Sequence, residues 1–168
     1  RAAGRMTDRV TLVTGGGTGI GRAACLVFAR EGARVVAVGP DEAALKDAAA
    51  CVQDEGHEAS WIVGDVRRSE DARRAIEATI ARYARLDALC NNAGIEFAAP
   101  LHETPEDKWD LVLDTNLKGV YQMSRHAIPV MMRQGRGVIV NTASQLAFVG
   151  ARNYGAYCAS KGGVLNLT

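Results

Sequence analysis

Three side chains towards the end of the chain could together move a proton. Tyr157 comes thirteen positions after Ser144, and Lys161 four after that, an S…YxxxK pattern. In a helix, residues i and i+4 share one face, so the Lys161 ammonium can lie beside the Tyr157 phenol. A free tyrosine titrates near ~10 and is a poor acid or base at neutral pH. A neighbouring cation favours the phenolate of such a residue and draws it towards the working range. The phenol can then take a proton from an alcohol or give one to a carbonyl. Ser144 can hydrogen-bond the reacting oxygen and orient it. Tyr154 competes for the same role, but Cys158, not a lysine, stands four residues on. Adjacent helical residues point about 100° apart, which leaves Cys158 itself to packing.

Such a set needs elements to position it. Val10 to Thr14, Arg34 to Val38, Ala59 to Gly64, Ala88 to Asn91 and Gly137 to Thr142 are nearly continuous apolar runs. They predict parallel strands covered on both faces. Helical patterns lie between them. Ile20, Ala23, Ala24, Val27 and Phe28 mark the first helix, which Glu31-Gly32 ends. Asp41 and Ser69 are expected N-caps of the next two. Thr104-Pro105-Glu106-Asp107 offers a cap, a proline at the first helical position and an acidic third residue. A long helix is expected to follow, kinked or broken near Pro129, and a last helix to begin shortly before Tyr157. Alternating strands and helices imply βαβ units and an α/β doubly wound parallel sheet with helices on both faces.

Thr14-Gly15-Gly16-Gly17-Thr18-Gly19-Ile20-Gly21 joins the first strand to the first helix. Glycines there permit positive φ, let the backbone approach a pyrophosphate and aim helix N–H groups at it. The bland alternative is a flexible strand–helix turn, but the placement favours a dinucleotide. The spacing is TGxxxGxG rather than GxGxxG. Asn91-Asn92-Ala93-Gly94 follows the fourth strand, Asp65-Val66 the third, and Asn116 lies on the long helix.

Taken together, from about Asp8 to the last residue, the chain resembles the short-chain dehydrogenase/reductase family. The resemblance implies a Rossmann-type fold and a nicotinamide dinucleotide held by Gly15, Gly19, Ile20, Gly21, Asp65, Val66, Asn92, Ala93 and Gly94, with Tyr157 and Lys161. It implies that Asp65 and the Val66 backbone meet the adenine, although Asp65 alone reads as a strand-end turn residue. It gives Lys161 the nicotinamide ribose hydroxyls, and gives Asn116 a water beside the lysine. The implied activity is hydride transfer between the nicotinamide and a secondary alcohol or ketone, with Asn116, Ser144, Tyr157 and Lys161 as the catalytic set. A homo-oligomer, dimer or tetramer, is implied through the long and terminal helices. Two other readings share the fold: a nucleotide-binding regulatory protein without catalysis, and a sugar-nucleotide epimerase or dehydratase, whose branch usually shows TGxxGxxG.

Cofactor choice should sit at Gly39-Pro40-Asp41, after the second strand. A carboxylate there takes the adenosine ribose hydroxyls of NAD, whereas an arginine welcomes the 2′-phosphate of NADP. Gly39 and Pro40 fit neither pattern. Asp41 could reach the ribose or cap its helix, and Arg22 or Arg34 could reach a phosphate. With no cation placed, NAD is expected over NADP.

Composition narrows the remaining classes. The 168 residues suit one domain, and 48% hydrophobic with 23% charged residues suits a globular chain. A net charge of +1 leaves no basic excess for nucleic acid. No apolar run approaches the ~20 residues of a membrane span. Residues 1–7 read as a flexible leader without the apolar stretch of a secretory signal. Cys25, Cys51, Cys90 and Cys158 form no CxxC pair, and His57, His102 and His126 do not cluster. No metal site is expected, and a reducing cytoplasm fits. Family members continue past the YxxxK helix with two more strands and a substrate loop. Thr168 falls within that helix, so the C-terminal part of the family fold is expected to be absent and the chain to be a fragment. The substrate class beyond an alcohol or ketone is therefore left open, with Glu96, Gln145 and Leu146 expected to flank the reacting centre.

Overall fold

A computed structural model describes residues 4–168. Its strands are β1 (Val10–Thr14), β2 (Arg34–Gly39), β3 (Ala59–Val63), β4 (Ala88–Asn91) and β5 (Val138–Asn141). Its helices are α1 (Gly19–Arg30), α2 (Glu42–Asp54), α3 (Ser69–Tyr83), α4 (Glu106–Leu113), α5 (Gly119–Gln134) and α6 (Gly155–Leu167). All five strands are parallel and lie in the order β3-β2-β1-β4-β5. The chain thus builds outward from β1 in one direction, then returns and builds in the other. A crevice opens at the carboxyl ends of β1 and β4, where the order reverses.

Period-two alternation sends side chains to two cores. Val10 and Leu12 of β1, with Val36 and Val38 of β2, pack towards Ile76 of α3 and Met123 of α5. Val13, Val35 and Ala37 pack the other way, towards Cys25 of α1 and Leu45 of α2. Helices therefore cover both faces of the central strands. Burial within the second core pushes the Cys25 thiol up to about 12 and leaves it a neutral packing group. The expected full burial fails at the edges. Val138 and Val140 of β5 remain 58% and 54% exposed, because among the described residues no helix lies over that face. A groove of about 510 Å³ runs there over Val138, Val140 and Phe28 and contains none of Ser144, Tyr157 and Lys161.

The helix boundaries correct three expectations. Arg68, not Ser69, holds the cap position of α3. Ser69 is drawn away, since its Oγ lies 3.0 Å from His126 Nε2 on α5. At α4 the cap position falls on Pro105, while the Thr104 hydroxyl turns back to donate to the Pro100 carbonyl at 3.0 Å. The long helix is not broken at Pro129, which sits within α5 on its exposed side, where water can solvate the carbonyl that the proline cannot engage. The irregularity comes earlier, as a π turn over Asp114–Lys118 between α4 and α5. Of the expected leader, residues 1–3 lie outside the described residues. Residues 4–7 enter a turn tied to the end of α1, with Met6 N donating to the Glu31 carbonyl at 2.9 Å and Arg5 paired to the Glu31 carboxylate at 3.0 Å.

One buried carboxylate ties the starts of β1, β4 and β5. Asp87 accepts from Val10 N at 2.9 Å and from both ends of the Arg85 fork at 2.7 and 2.6 Å. Arg9 and Arg136 stand 3.4 and 3.5 Å away, and Val138 N donates to the Asp87 carbonyl. Burial pushes this carboxyl up, but Arg85, the Val10 N–H and Arg9 outweigh it and hold it below the usual carboxylate range. A depressed carboxylate stabilises the fold above its unfolded pKa, and that contribution drains away as pH falls through the folded value. Asp87→Asn should therefore cost about 2 kcal/mol at neutral pH. The gap between wild-type and variant urea midpoints should close below pH ~4. A gap independent of pH would contradict the ion-pair account.

Candidate active site

The crevice between β1 and β4 is clamped by one threonine. Thr14 Oγ1 accepts from Asn92 N and Ala93 N, each at 3.0 Å, and donates to the Cys90 carbonyl at 3.5 Å. Asn92 Nδ2 returns to the Thr14 carbonyl at 3.2 Å. The glycine loop turns over this clamp with Gly15 at φ +65° and Gly19 at φ +51°, the left-handed region that glycine enters without strain. A Cβ on Gly21 would lie 2.1 Å from the Gly15 carbonyl oxygen, whereas one on Gly19 would meet nothing within 4 Å.

That loop fits the pyrophosphate of a dinucleotide on three counts. Open space lies beside Gly19, and Thr18 makes no side-chain hydrogen bond to the first N–H groups of α1. No acidic residue stands in the first turn of α1 to compete for its positive end. Ile20 is exposed beside it.

A cleft of about 260 Å³ continues from the loop and is lined by Ile20, Asn92, Gly94, Ile95, Glu96, Thr142, Tyr157 and Lys161. The i, i+4 spacing on α6 sets Lys161 Nζ 5.7 Å from the centre of the Tyr157 ring. Tyr154 packs edge-on against that ring at 6.4 Å. Among the described residues the Tyr157 hydroxyl has no hydrogen-bond partner. Lys161 is only 4% exposed, and burial pushes its ammonium below the ordinary lysine value. Its Nζ donates to the Thr142 carbonyl at 2.6 Å, its single hydrogen bond among the described residues, so two of its three donors stay free. A Cβ on Gly94 would come within 3.5 Å of that ammonium. The bare backbone of Gly94 is thus what leaves room beside the pair. A buried ammonium with unspent donors suits the vicinal hydroxyls of a ribose.

Asn116 lies in the π turn and is fully buried. Its Oδ1 accepts from Ile95 N at 2.8 Å, and its Nδ2 donates to the Ile95 carbonyl at 2.8 Å and to Ser160 Oγ at 3.0 Å. Ser160 in turn donates to the Tyr157 carbonyl at 2.8 Å. The carboxamide therefore straps the segment after β4 to the helix that carries Tyr157.

Other expected residues stand apart from the cleft. Ser144 follows β5 and is half-buried, but it is not among the lining residues; its Oγ accepts from Leu146 N at 3.1 Å, which leaves its proton free. Asp65 is held in a fork by Arg67, with contacts of 2.8 and 2.5 Å, and the Arg67 hydrogen bond keeps its carboxyl low. Val66 is buried and lies where a Cβ on Gly119 would touch it at 2.7 Å. At the specificity turn, Asp41 is the N-cap of α2, accepting from Ala44 N at 3.1 Å. Arg22 is paired with Asp47 at 2.7 Å, and Arg34 lies 4.0 Å from Asp8. Thr142 and Ser160 were not singled out from the sequence. A backbone acceptor carries no residue-type signal, and Ser160 acts across 44 positions.

Comparison with known proteins bears on the family and the fold. A family model described as short chain dehydrogenase matches residues 9–168. The chain is 41% identical over 170 residues to an A-factor type gamma-butyrolactone 1′-reductase (1S-forming) of Streptomyces virginiae, covering 98% of this chain and 65% of that protein. It is 38% identical over 161 residues to a cyclopentanol dehydrogenase of Comamonas testosteroni, covering 96% and 64%. Among solved structures, an NAD+-bound xylitol dehydrogenase superposes with a TM-score of 0.95 at 34% identity, covering 98% of this chain and 64% of that one. A levodione reductase does so with 0.94 at 36% identity, covering 98% and 65%. The chain thus spans less than two thirds of the length of these relatives.

Proposed function

Because the chain belongs to the short-chain dehydrogenase family, we propose that it catalyses reversible hydride transfer between a nicotinamide dinucleotide and a secondary alcohol or ketone, with Tyr157 as the acid and base. Bound along the glycine loop, the dinucleotide supplies the hydride acceptor or donor. The reading is carried by one observation: an unpartnered Tyr157 hydroxyl shares a cleft with a buried Lys161 ammonium that has two donors to spare.

Tyr157 takes the proton from the alcohol oxygen in oxidation and returns it to the carbonyl oxygen in reduction. Lys161 holds the ribose hydroxyls and keeps its ammonium 5.7 Å from the centre of the Tyr157 ring, on the same face of α6. Ser144 turns its free proton towards the reacting oxygen. Asn116 fixes the distance between the segment after β4 and α6, and serves the proton path beside Lys161. Asp65 and Val66 bound the adenine end.

The preferred dinucleotide is NAD. Asp41 is spent as a cap, Arg22 has a carboxylate partner and Arg34 stands beside one, so none of the cations considered at this turn is free for a 2′-phosphate among the described residues. Parallel titrations should give tighter binding of NADH than of NADPH, and the reverse order would overturn this choice. Tyr121, Ile128 and Met132 expose apolar surface along one face of α5, with Leu167 of α6 also exposed. That surface supports a homo-oligomer through these helices, and four free cysteines suit a cytoplasmic setting.

The experiment is to incubate the chain with NAD and a cyclic secondary alcohol and follow nicotinamide reduction. Net reduction is expected. Nucleotide binding without turnover would favour a regulatory module, and conversion of a sugar nucleotide without net redox would favour an epimerase.

A further inference from the structure

Among the described residues, Lys161 carries the one positive charge lining the catalytic cleft, and Glu96 the one negative charge. Elsewhere, buried or half-buried carboxylates are tied to cations, as Asp65 is to Arg67, Asp87 to Arg85 and Asp114 to Lys118. Glu96 makes no ion pair and no side-chain hydrogen bond among the described residues. Glu96 is itself exposed, and exposure alone would make an unpaired carboxylate uninformative. This one lines the same cleft as the unpartnered Tyr157 hydroxyl.

Its backbone is fixed from both sides. Ile95, immediately before it, has its N–H and carbonyl both held by Asn116 at 2.8 Å. Ala99, three residues on, donates to the Asn153 carbonyl at 2.8 Å. Glu96 therefore enters the cleft from a pinned segment, so an interaction made there loses little to ordering the loop. An ionised carboxylate accepts hydrogen bonds and donates none. Its partner must bring a donor, and a second anion is repelled. Ile20 and Ile95 give the cleft apolar walls, suited to a carbon skeleton rather than to a second charge.

Resting on the dehydrogenase reading above, we propose that Glu96 is a specificity-determining residue. It accepts a hydrogen bond from a second hydroxyl of a neutral diol substrate and disfavours alcohols that carry a carboxylate.

The test compares kcat/KM of the full chain and of Glu96→Gln for cyclohexanol, its vicinal diol and its vicinal hydroxy acid. Wild type should favour the diol over cyclohexanol by on the order of tenfold, the size of one hydrogen bond to a charged group, with the hydroxy acid poorest. In Glu96→Gln the diol preference should collapse and the hydroxy acid should gain. Glu96→Asp, which keeps the charge, should retain the wild-type order. The residue is exposed, so thermal midpoints should match and separate this effect from misfolding. A diol-to-cyclohexanol ratio unchanged in Glu96→Gln, or a loss shared equally by all three alcohols, would overturn the proposal and leave the dehydrogenase reading intact. A wild-type chain that binds nucleotide yet oxidises none of the three would overturn both.

Discussion

Tyr157→Phe should lower turnover by about 10²–10⁴-fold, the usual worth of a positioned acid or base, while leaving nucleotide binding nearly intact. The substitution removes one oxygen and keeps the ring. Tyr154 packs edge-on against that ring, and its hydroxyl has no hydrogen-bond partner among the described residues, so no partner inside the protein is orphaned. Lys161 keeps its bond to the Thr142 carbonyl and its two free donors, so the groups assigned to the ribose are unchanged. Only the proton path is lost. The distinguishing measurement is a pair: steady-state turnover, and nucleotide affinity by titration of the same preparation. A Phe variant with wild-type rate would remove Tyr157 from the chemistry. Loss of affinity equal to the loss of rate would make it a binding group.

Gly21→Ala should act at the other end of the site and remove nucleotide binding, weakening affinity by at least about 100-fold. The added Cβ would lie 2.1 Å from the Gly15 carbonyl oxygen and 2.7 Å from Asn92 Nδ2. Neither neighbour can yield cheaply. Gly15 is already held in a positive-φ turn, and Asn92 is bonded back to the Thr14 carbonyl. The loop must open, so the backbone N–H groups proposed to face the pyrophosphate lose their register. Overpacking of this kind also costs about 1–3 kcal/mol of stability. Gly135→Ala separates the two effects. Gly135 ends α5 at φ +70°, and a Cβ there would meet nothing within 4 Å, so its cost is backbone strain of about 1 kcal/mol. It should lower the melting temperature without changing affinity. Wild-type affinity in Gly21→Ala would contradict the placement of the nucleotide on this loop.

Much of this arrangement is written locally. The five strands lie where apolar runs stand between turn signals. The glycine loop falls between β1 and α1, and the i, i+4 spacing alone sets Lys161 beside the Tyr157 ring. What the sequence hides is long-range. β3 and β5 read like fully buried strands because their composition resembles that of β1, and only the strand order makes them edges of the described sheet. Ser69 has the right type for a cap, but His126, 57 positions away, takes its hydroxyl. Pro129 is a helix breaker by type, yet on the exposed side of α5 it is accommodated. The Asp87 cluster gathers Arg9 and Arg136 from distant segments, and no spacing rule joins them. At the site, Asn116 could be recognised only through resemblance, whereas its bonds to Ile95 and Ser160 depend on three elements meeting.

The most direct test of hydride transfer is isotopic. The chain should be incubated with NAD and a secondary alcohol carrying deuterium on its carbinol carbon, and the reduced nicotinamide examined by mass spectrometry. Deuterium should appear in the reduced nicotinamide as the ketone forms. Ketone formation with the label released to water, or bound nucleotide with no ketone at all, would contradict direct transfer.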